Sequence, residues 1–592
     1  MIVEMKKITL LCLAAERDRT LEALADAGVM HLALAPKASD SSGVEEAARS
    51  LQKAGAALAV LRSLGAGREK RPVSGSGAEE AVDSILALDA KRKECGERLA
   101  ALRSEHRLVE PLGDFDPALV KHLAAQGVRV RLARVGKRED FRIPDGMAVF
   151  EVGLVESERL LVVVGEGECP GREIPLPRRR LREIEAEISA VEKEQQAVGA
   201  KLAEYAVLIP RIEALEAEAR VRLQFAEARA AMGQDKEVAW LQGYCPAEKV
   251  ESLRQLARQC GWGLVIEDPT EDEDVPTLLR PVGWAKPILF LMDAIGIVPG
   301  YWELDISAAF LLFYTLFFAM LVSDAGYGMV FLGLTLAIKR FAKKAPPEMP
   351  RLLGILSIAT IIWGVLTGSV FGIDPDALPG PLRAARVRWL TDERNLMELC
   401  FLIGAIHLTV AHAWNALRRR RSLTALAQAG WIAVTWTMYF AAGAFILGKE
   451  IPGFVPWLLA AGVLLIALFM TPASQMKTEW HQHIMLPLSI VGNFGAIVSY
   501  IRLFAVGSAG TAISMAFKEM ALGRGINGFW AGAAAALILF AAHSMNILLS
   551  VLGVVVHGVR LNTLEFSGHI GLQWSGKKYR PFSREIAAAR QS

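Results

Sequence analysis

Seven uncharged, apolar stretches crowd the second half of this sequence, at residues 306–322, 352–373, 399–417, 422–448, 451–476, 484–501 and 525–559. A helix needs about 20 such residues to cross a hydrocarbon core of about 30 Å, and most of these runs reach that length. The pattern predicts a polytopic membrane protein. Charge divides the chain at the same place: 42 basic and 51 acidic residues lie up to Asp305, a net of −9, against 24 and 12 beyond it, a net of +12. The two halves are built for different solvents. Two ordinary globular domains would fit 592 residues, but a hydrophobic content of 53% is high for a chain wholly in water.

The first 300 residues carry no signal-peptide order of basic, apolar and small residues, so they are expected to stay in the cytosol. Cys12, Cys95, Cys169, Cys245, Cys260 and Cys400 form no C-x-x-C pair and no cluster with histidines, which argues against a zinc site or a disulfide framework. We read them as reduced and structural, with no metal and no cofactor. Residues 1–35 alternate apolar, amphipathic and apolar stretches, ended in the middle by Gly28, and predict strand, helix, strand. Residues 44–109 are helical in pattern around a flexible SGSG at 74–77, and a polar-lined α/β segment follows to about Pro177.

The most regular stretch comes next. Leu181, Ile184, Ile188, Val191, Gln195, Val198, Leu202, Tyr205, Ile209 and Ile212 keep a three-four spacing between charged flanks, the pattern of a coiled coil, with Pro210 expected to kink it. The simplest assembly pairs this helix antiparallel with the earlier one and puts an α/β lobe at each end of a long stalk, residues 238–267 completing one lobe. The alternative is that each helix packs on a partner protein instead. An acidic, proline-containing linker at 268–274 then leads to the domain boundary. The expected organisation is a cytosolic arm at 1–276, a linker at 277–305 and a transmembrane domain at 306–592.

No G-x-x-x-x-G-K-[ST] loop and no G-x-G-x-x-G after a strand is present, so the chain is not expected to bind a nucleotide through either motif. The net −9 of the soluble half also excludes a nucleic-acid surface as the natural reading, because phosphate binding wants clustered Lys and Arg. With the N-terminus inside, eight spans result, the first two meeting at Asp324. Predicted inside loops then hold fifteen basic residues and outside loops seven, in keeping with the positive-inside rule, and both termini face the cytosol.

Residues 484–517 number 34 with a single charge, Arg502, and residues 525–559 number 35 with none before Arg560. As helices each would run about 50 Å against a core of about 30 Å, so both must tilt steeply or protrude. A deep arginine costs on the order of 3 kcal/mol to insert and persists chiefly where it faces protein or water. Permanently protonated, it cannot relay a proton, but it holds a positive potential that favours ionisation of a facing carboxylate. Arg560 sits nearer the inner end, where snorkelling is easy.

These residues carry a resemblance. SYIRLFAVGSAGTAIS (499–514), VHGVRLNTLEF (556–566) and FFAMLVSDAGYG (317–328) resemble, in order, the seventh-span, eighth-span and glycine-turn motifs of the membrane stator subunit of rotary V/A-type ATPases, and PTLLRPVGWAKP (276–287) resembles that family's approach to the membrane. The resemblance implies a mostly α fold with a stalk-contacting arm of α/β lobes joined by a long antiparallel coiled coil. An eight-helix transmembrane domain with two long tilted helices would follow. It implies that Arg502 and Arg560 face a rotor proteolipid ring, and that peripheral-stalk subunits and a central-stalk adaptor are further partners, at a prokaryotic cell membrane. The chain departs from eukaryotic members by Gly510 where they place histidine and Ser550 where they place glutamate, and Ser323 precedes Asp324 in place of glycine.

The mechanism expected is offset ion access on the two sides of Arg502. Glu479, His481, His483, Ser489 and Asn493 lie on the inside approach; Asp324, His543, Asn546 and Ser550 are placed to wet an outer path. Capping of a tight turn is the other reading of Asp324. Glu565 is five residues from Arg560 and can pair with it or carry ions. His407 and His412, also five apart, do not share a helical face, and at least one is expected to be a hydrogen-bonded packing residue. A secondary transporter of an anionic substrate would also justify deep arginines, but it predicts internal repeats that the spans do not display.

Overall fold

The computed structural model describes residues 1–33, 41–64, 77–136, 143, 146–155, 158–342, 345–472, 477, 480–523, 525 and 528–584. Strand β1 (Met5–Leu13), helix α1 (Arg17–Ala27) and the short β2 (His31–Leu32) open the chain. Alternation along β1 sends Ile8, Leu10 and Cys12 to one buried face. Helix α1 ends where Gly28 takes φ +58°, a left-handed conformation that costs glycine little, and its N–H caps the Leu24 carbonyl.

Helices α2 (Ser41–Ser63), α3 (Ala78–Val109) and α4 (Pro117–Ala125) lead to an antiparallel sheet of β3 (Val130–Gly136), β4 (Ala148–Val155), β5 (Glu158–Val164) and β6 (Arg172–Ile174), in the order β4-β5-β3-β6. The chain returns through α5 (Leu181–Glu204) and α6 (Ile209–Ala231). It then adds β7 (Gly233–Asp235), β8 (Val238–Pro246), α7 (Val250–Cys260) and β9 (Gly263–Glu267). Strand β8 pairs with β1 along its whole length, from Met5 opposite Pro246 to Leu13 opposite Val238, and β9 takes the other edge.

Between the two sheets α3 runs against α5 and α2 against α6. Partners climb one helix as they descend the other: Ile85 shares a cluster with Val198 and Leu202, whereas Cys95, Leu99 and Leu102 share one with Ile184 and Val191. Ion pairs Lys91–Glu194 and Arg98–Glu187 edge this antiparallel seam. The continuous, kinked helix expected around Pro210 is not what forms. Helix α5 stops at Glu204, a 3-10 turn covers Tyr205–Leu208, and α6 restarts at Ile209. Pro210 thereby occupies a first turn, where its missing N–H has no partner to lose. The register slips with the break, so Leu208 is buried and Ile209 only partly so.

Beyond β10 (Pro276–Thr277) and α8 (Ile288–Ile295), the second half is helical: α9 (Ser307–Val322), α10 (Ala325–Phe341), α11 (Glu348–Thr367), the short α12 (Gly380–Ala385), α13 (Glu393–Arg418), α14 (Thr424–Leu447), α15 (Val455–Phe469), α16 (His481–Ser499), α17 (Ile501–Leu522) and α18 (Phe529–Gly553). Two π-helical turns, Val554–Gly558 and Leu561–Phe566, carry α18 on into α19 (Ser567–Ile570). Among the described residues, five stretches are long and apolar enough to cross a membrane, Glu348–Thr367, Glu393–Arg418, Thr424–Leu447, His481–Leu522 and Phe529–Ile570. The other three expected spans are the shorter α9, α10 and α15, of 16, 17 and 15 residues. The architecture is a mostly helical, multi-pass membrane half joined to a lobed arm.

Helix α9 lies at the centre of the helical half, with Phe310 and Phe317 fully buried against neighbours on all sides. After α19 the chain folds back on the first lobe. Strand β11 (Lys577–Lys578) pairs in parallel with β10, the Tyr579 hydroxyl donates to the Val29 carbonyl at 2.7 Å, and the Phe582 ring packs 4.9 Å from Phe225.

Candidate functional site

A break in the helix places Arg502. The α16 geometry gives way at Tyr500, whose wholly buried ring fills the space left by Gly404 on α13, where a Cβ would lie 2.7 Å from that ring. Arg502 follows in the first turn of α17.

Arg560 is placed by the π-helical turns on either side of it. In an α-helix, residues five apart point about 140° away from each other. Hydrogen bonding from i to i+5 sets such residues one turn above another, so Arg560 and Glu565 become neighbours. Glu565 Oε1 lies 3.5 Å from Arg502 Nη1 and 3.7 Å from Arg560 Nε. Both separations exceed the 2.7–2.9 Å of a tight charge-assisted bond, which leaves guanidinium donors free for another acceptor. The carboxylate side chain is 9% exposed, against 31% for Arg502 and 49% for Arg560, so a buried anion backs two cations that reach the surface. Leu548, Leu552, Val555 and Val556 lie exposed along the same stretch of α18 and the turn after it. The pair of arginines thus interrupts an apolar face.

The outer-path candidates converge, and Tyr327 is the residue that gathers them. Asp324 caps α10 by accepting from the Tyr327 N–H at 3.0 Å, and its other oxygen accepts from Ser369 Oγ at 3.2 Å. Ser323 ahead of it takes φ +51°, so the turn is tight, and capping is a role Asp324 does perform. The Tyr327 hydroxyl meets His543 Nδ1 at 2.8 Å, Ser514 Oγ at 3.0 Å and Asn546 Nδ2 at 3.0 Å. Asn546 also donates to the Gly510 carbonyl at 2.8 Å, across a contact that a larger residue at 510 would crowd. Ser550 is buried one turn further along the same face of α18. From Arg502 to Ser514 is twelve residues of helix, about 18 Å.

The inner-path candidates do not converge. Glu479 lies outside the described residues. His481 and Ser489 are exposed, His483 Nε2 turns to the Ala467 carbonyl at 3.2 Å, and Asn493 donates to Thr435 Oγ1 on α14 at 3.1 Å. Polar groups on another helix come together instead. His407 Nδ1 lies 2.8 Å from the Tyr500 hydroxyl, and His412 Nε2 lies 3.1 Å from His569 Nδ1. Both α13 histidines are therefore hydrogen-bonded and buried, where the sequence required this of only one. Tyr500, Tyr327, Ser514 and His569 are the members of these clusters that sequence reasoning missed. Tyr500 and Ser514 belong to the SYIRLFAVGSAGTAIS segment and Tyr327 to the glycine turn, so the signal for them lay in the hydroxyls of the motifs themselves.

No family model matches the chain. It is 33% identical over 632 aligned residues to V-type ATP synthase subunit I 1 of Treponema pallidum, covering 98% of this chain and all of the relative. It is 30% identical over 617 residues to V-type ATP synthase subunit I of Borreliella burgdorferi, covering 99% and 100%. A solved structure of the cytoplasmic N-terminal domain of subunit I, homolog of subunit a, of V-ATPase aligns with 44% of this chain and 99% of its own, at 15% identity and a TM-score of 0.20.

Proposed function

The chain belongs to the V/A-type ATP synthase subunit I family, and from that premise we propose that it is the stationary membrane subunit against which a rotor proteolipid ring turns. An ion reaches a ring carboxylate from one side of the membrane and leaves on the other by a path displaced along the subunit, and Arg502 keeps the two paths apart. Arg560 shares the surface, and Glu565 holds both guanidiniums in place from behind. The arm is an antiparallel coiled coil that meets peripheral-stalk subunits, a central-stalk adaptor sits beside the ring, all eight apolar helices span the cell membrane, and both termini are cytosolic. The observation that carries this reading is a surface arginine in an apolar face, backed by one buried carboxylate, with a buried polar cluster about 18 Å along its helix.

Purification of the full chain in mild detergent is expected to bring down a small proteolipid and nucleotide-hydrolysing subunits in fixed ratio, read by mass spectrometry. A chain that comes alone and exchanges an anionic solute in vesicles would be a secondary transporter instead. Glu565→Gln leaves two cations without their shared anion. Transport by the assembled complex is expected to fall about fivefold, the effect of a pair worth about 1 kcal/mol once solvent screening of the partly exposed arginines is allowed for. Failure of the complex to assemble would make Glu565 a packing group.

A further inference from the structure

We infer that a phospholipid with a primary-ammonium head, of the phosphatidylethanolamine class, binds in the cleft where the arm meets the membrane half. A cavity of about 620 Å³ opens there, and Tyr301, Trp302, Glu303, Ala308 and Trp414 are among the residues that line it. That size falls within the roughly 300–1,000 Å³ of small-ligand clefts. The cleft sits at the membrane boundary: α13 is long and apolar enough to cross a bilayer, and its last residue, Arg418, donates to the Trp302 carbonyl at 3.3 Å. Tryptophan side chains favour the headgroup layer at such a boundary. The inference stands on this junction alone, whether or not the chain faces a rotor ring.

Opposite charges meet at the cleft without pairing. The carbonyl that Arg418 holds belongs to the residue before Glu303, yet among the described residues neither Arg418 nor Glu303 is in an ion pair. Arg419, Arg420 and Arg421 follow, all exposed. The other acids lining the cavity are engaged, Asp305 with the Met1 ammonium and Glu4 with Lys6 at 2.8 Å. A phosphate held by the arginines carries its ammonium only two carbons away, toward Glu303 and the Tyr301 and Trp302 rings. Those rings stand edge to face with centroids 4.9 Å apart, and Tyr301 is fixed by accepting the Met5 N–H at 2.9 Å. A cation within about 6 Å of such a ring is attracted to its face. A primary ammonium also gives N–H donors to the carboxylate, which a choline head cannot, and the acids disfavour a head that carries negative charge alone. The apolar surface says where the tails go. Helix α9 is otherwise buried or half-buried, but Ala308 lines the cleft, Leu312 one turn on is 62% exposed, and Leu316 after it is half-buried. On α13, Trp414, Val410 and Ile406 keep the same four-residue step, with Ile406 exposed. Two open apolar stripes thus leave the cleft toward mid-membrane, which fits acyl chains and not a soluble zwitterion.

The test is photolabelling of the full chain, with whatever subunits purify alongside it, in nanodiscs. The probes are phosphatidylethanolamine, phosphatidylcholine and phosphatidylglycerol, each with a photoreactive group in the acyl chain, and labelled peptides are read by mass spectrometry. The wild type is expected to be labelled within 301–316 and 406–418 about fivefold more by the ethanolamine lipid than by either of the others. Glu303→Gln should erase the preference over choline, and Arg418→Gln should weaken labelling by both zwitterionic lipids. Equal labelling by the three lipids would overturn the proposal, as would a preference for the glycerol head or a preference unchanged in Glu303→Gln. Should either variant fail to fold, the comparison of the three heads on the wild type decides alone. Cross-links to another protein, and none to lipid, from a photoreactive amino acid in place of Leu312 would give the groove to a partner helix and overturn the lipid.

Discussion

Arg502→Gln is expected to abolish ATP-driven ion transport by the reconstituted complex while leaving the complex assembled. Assembly survives because Arg560 Nε still lies 3.7 Å from Glu565, so the buried carboxylate keeps one cation. Transport does not, because glutamine offers a passing carboxylate hydrogen bonds but no charge. An ionised carboxylate in mid-membrane without a counter-charge costs on the order of 3 kcal/mol. At 1.36 kcal/mol per factor of ten that is roughly a hundredfold in rate. Initial rates of vesicle acidification, normalised to the amount of complex, check it directly. Arg560→Gln removes a more exposed cation, 49% against 31%, and a smaller loss is expected. Coupled acidification at the wild-type rate in Arg502→Gln would withdraw the assignment.

The arginines could be found in the sequence because a single charge among 34 residues is conspicuous whatever the chain does around it. The opening strand, helix and strand of the first lobe were open as well, since two apolar stretches flank an amphipathic one that Gly28 ends. Pairing with Arg560 was one of the two readings the sequence left open for Glu565; the geometry that brings the two side chains together was not legible. The π-helical turns that bring Glu565 beside Arg560 leave no proline or glycine in LNTLEF; they go with tertiary packing, in which Phe566 stacks on His407 from a helix more than 150 residues earlier. A lone histidine in an apolar run reads as packing until the phenol 93 positions away is seen against it. The inner-path candidates fall on α16 and just before it because a span running from inside to outside puts those residues on the inner approach to Arg502. Rotation of that helix turns Asn493 toward α14 and His483 toward the Ala467 carbonyl instead. Pro210 misled for a related reason: a proline announces a disturbance, but whether it kinks one helix or begins another depends on where the 3-10 turn falls.

Tyr579→Ala combined with Phe582→Ala is expected to release the tail from the first lobe and loosen the arm from the membrane half. Both side chains are buried, 8% and 7% exposed. Truncating such an aromatic costs about 3–5 kcal/mol, and the hydroxyl's bond to the Val29 carbonyl adds about 1 kcal/mol. The ion pairs Lys577–Asp274 and Arg584–Asp26 lie on exposed surface and are worth at most about 1 kcal/mol each, too little to hold β11 on β10 alone. Amide hydrogen exchange should therefore rise at residues 29–33 and 276–279, and unchanged protection there would show that the tail is dispensable. Docking should also depend on pH. His31 Nδ1 accepts from the Arg580 backbone N–H at 2.9 Å, which only the neutral ring can do. Burial, with Arg580 and Lys577 beside it, holds the His31 pKa below the ordinary 6.5. A released tail frees His31 to bind a proton that the docked form resists, so docking is strongest above about pH 6.5 and weakens as pH falls toward the depressed value. His31→Gln, neutral at every pH, should flatten that dependence once exchange is corrected for its intrinsic response to pH. A dependence that persists in His31→Gln would place the titrating group elsewhere.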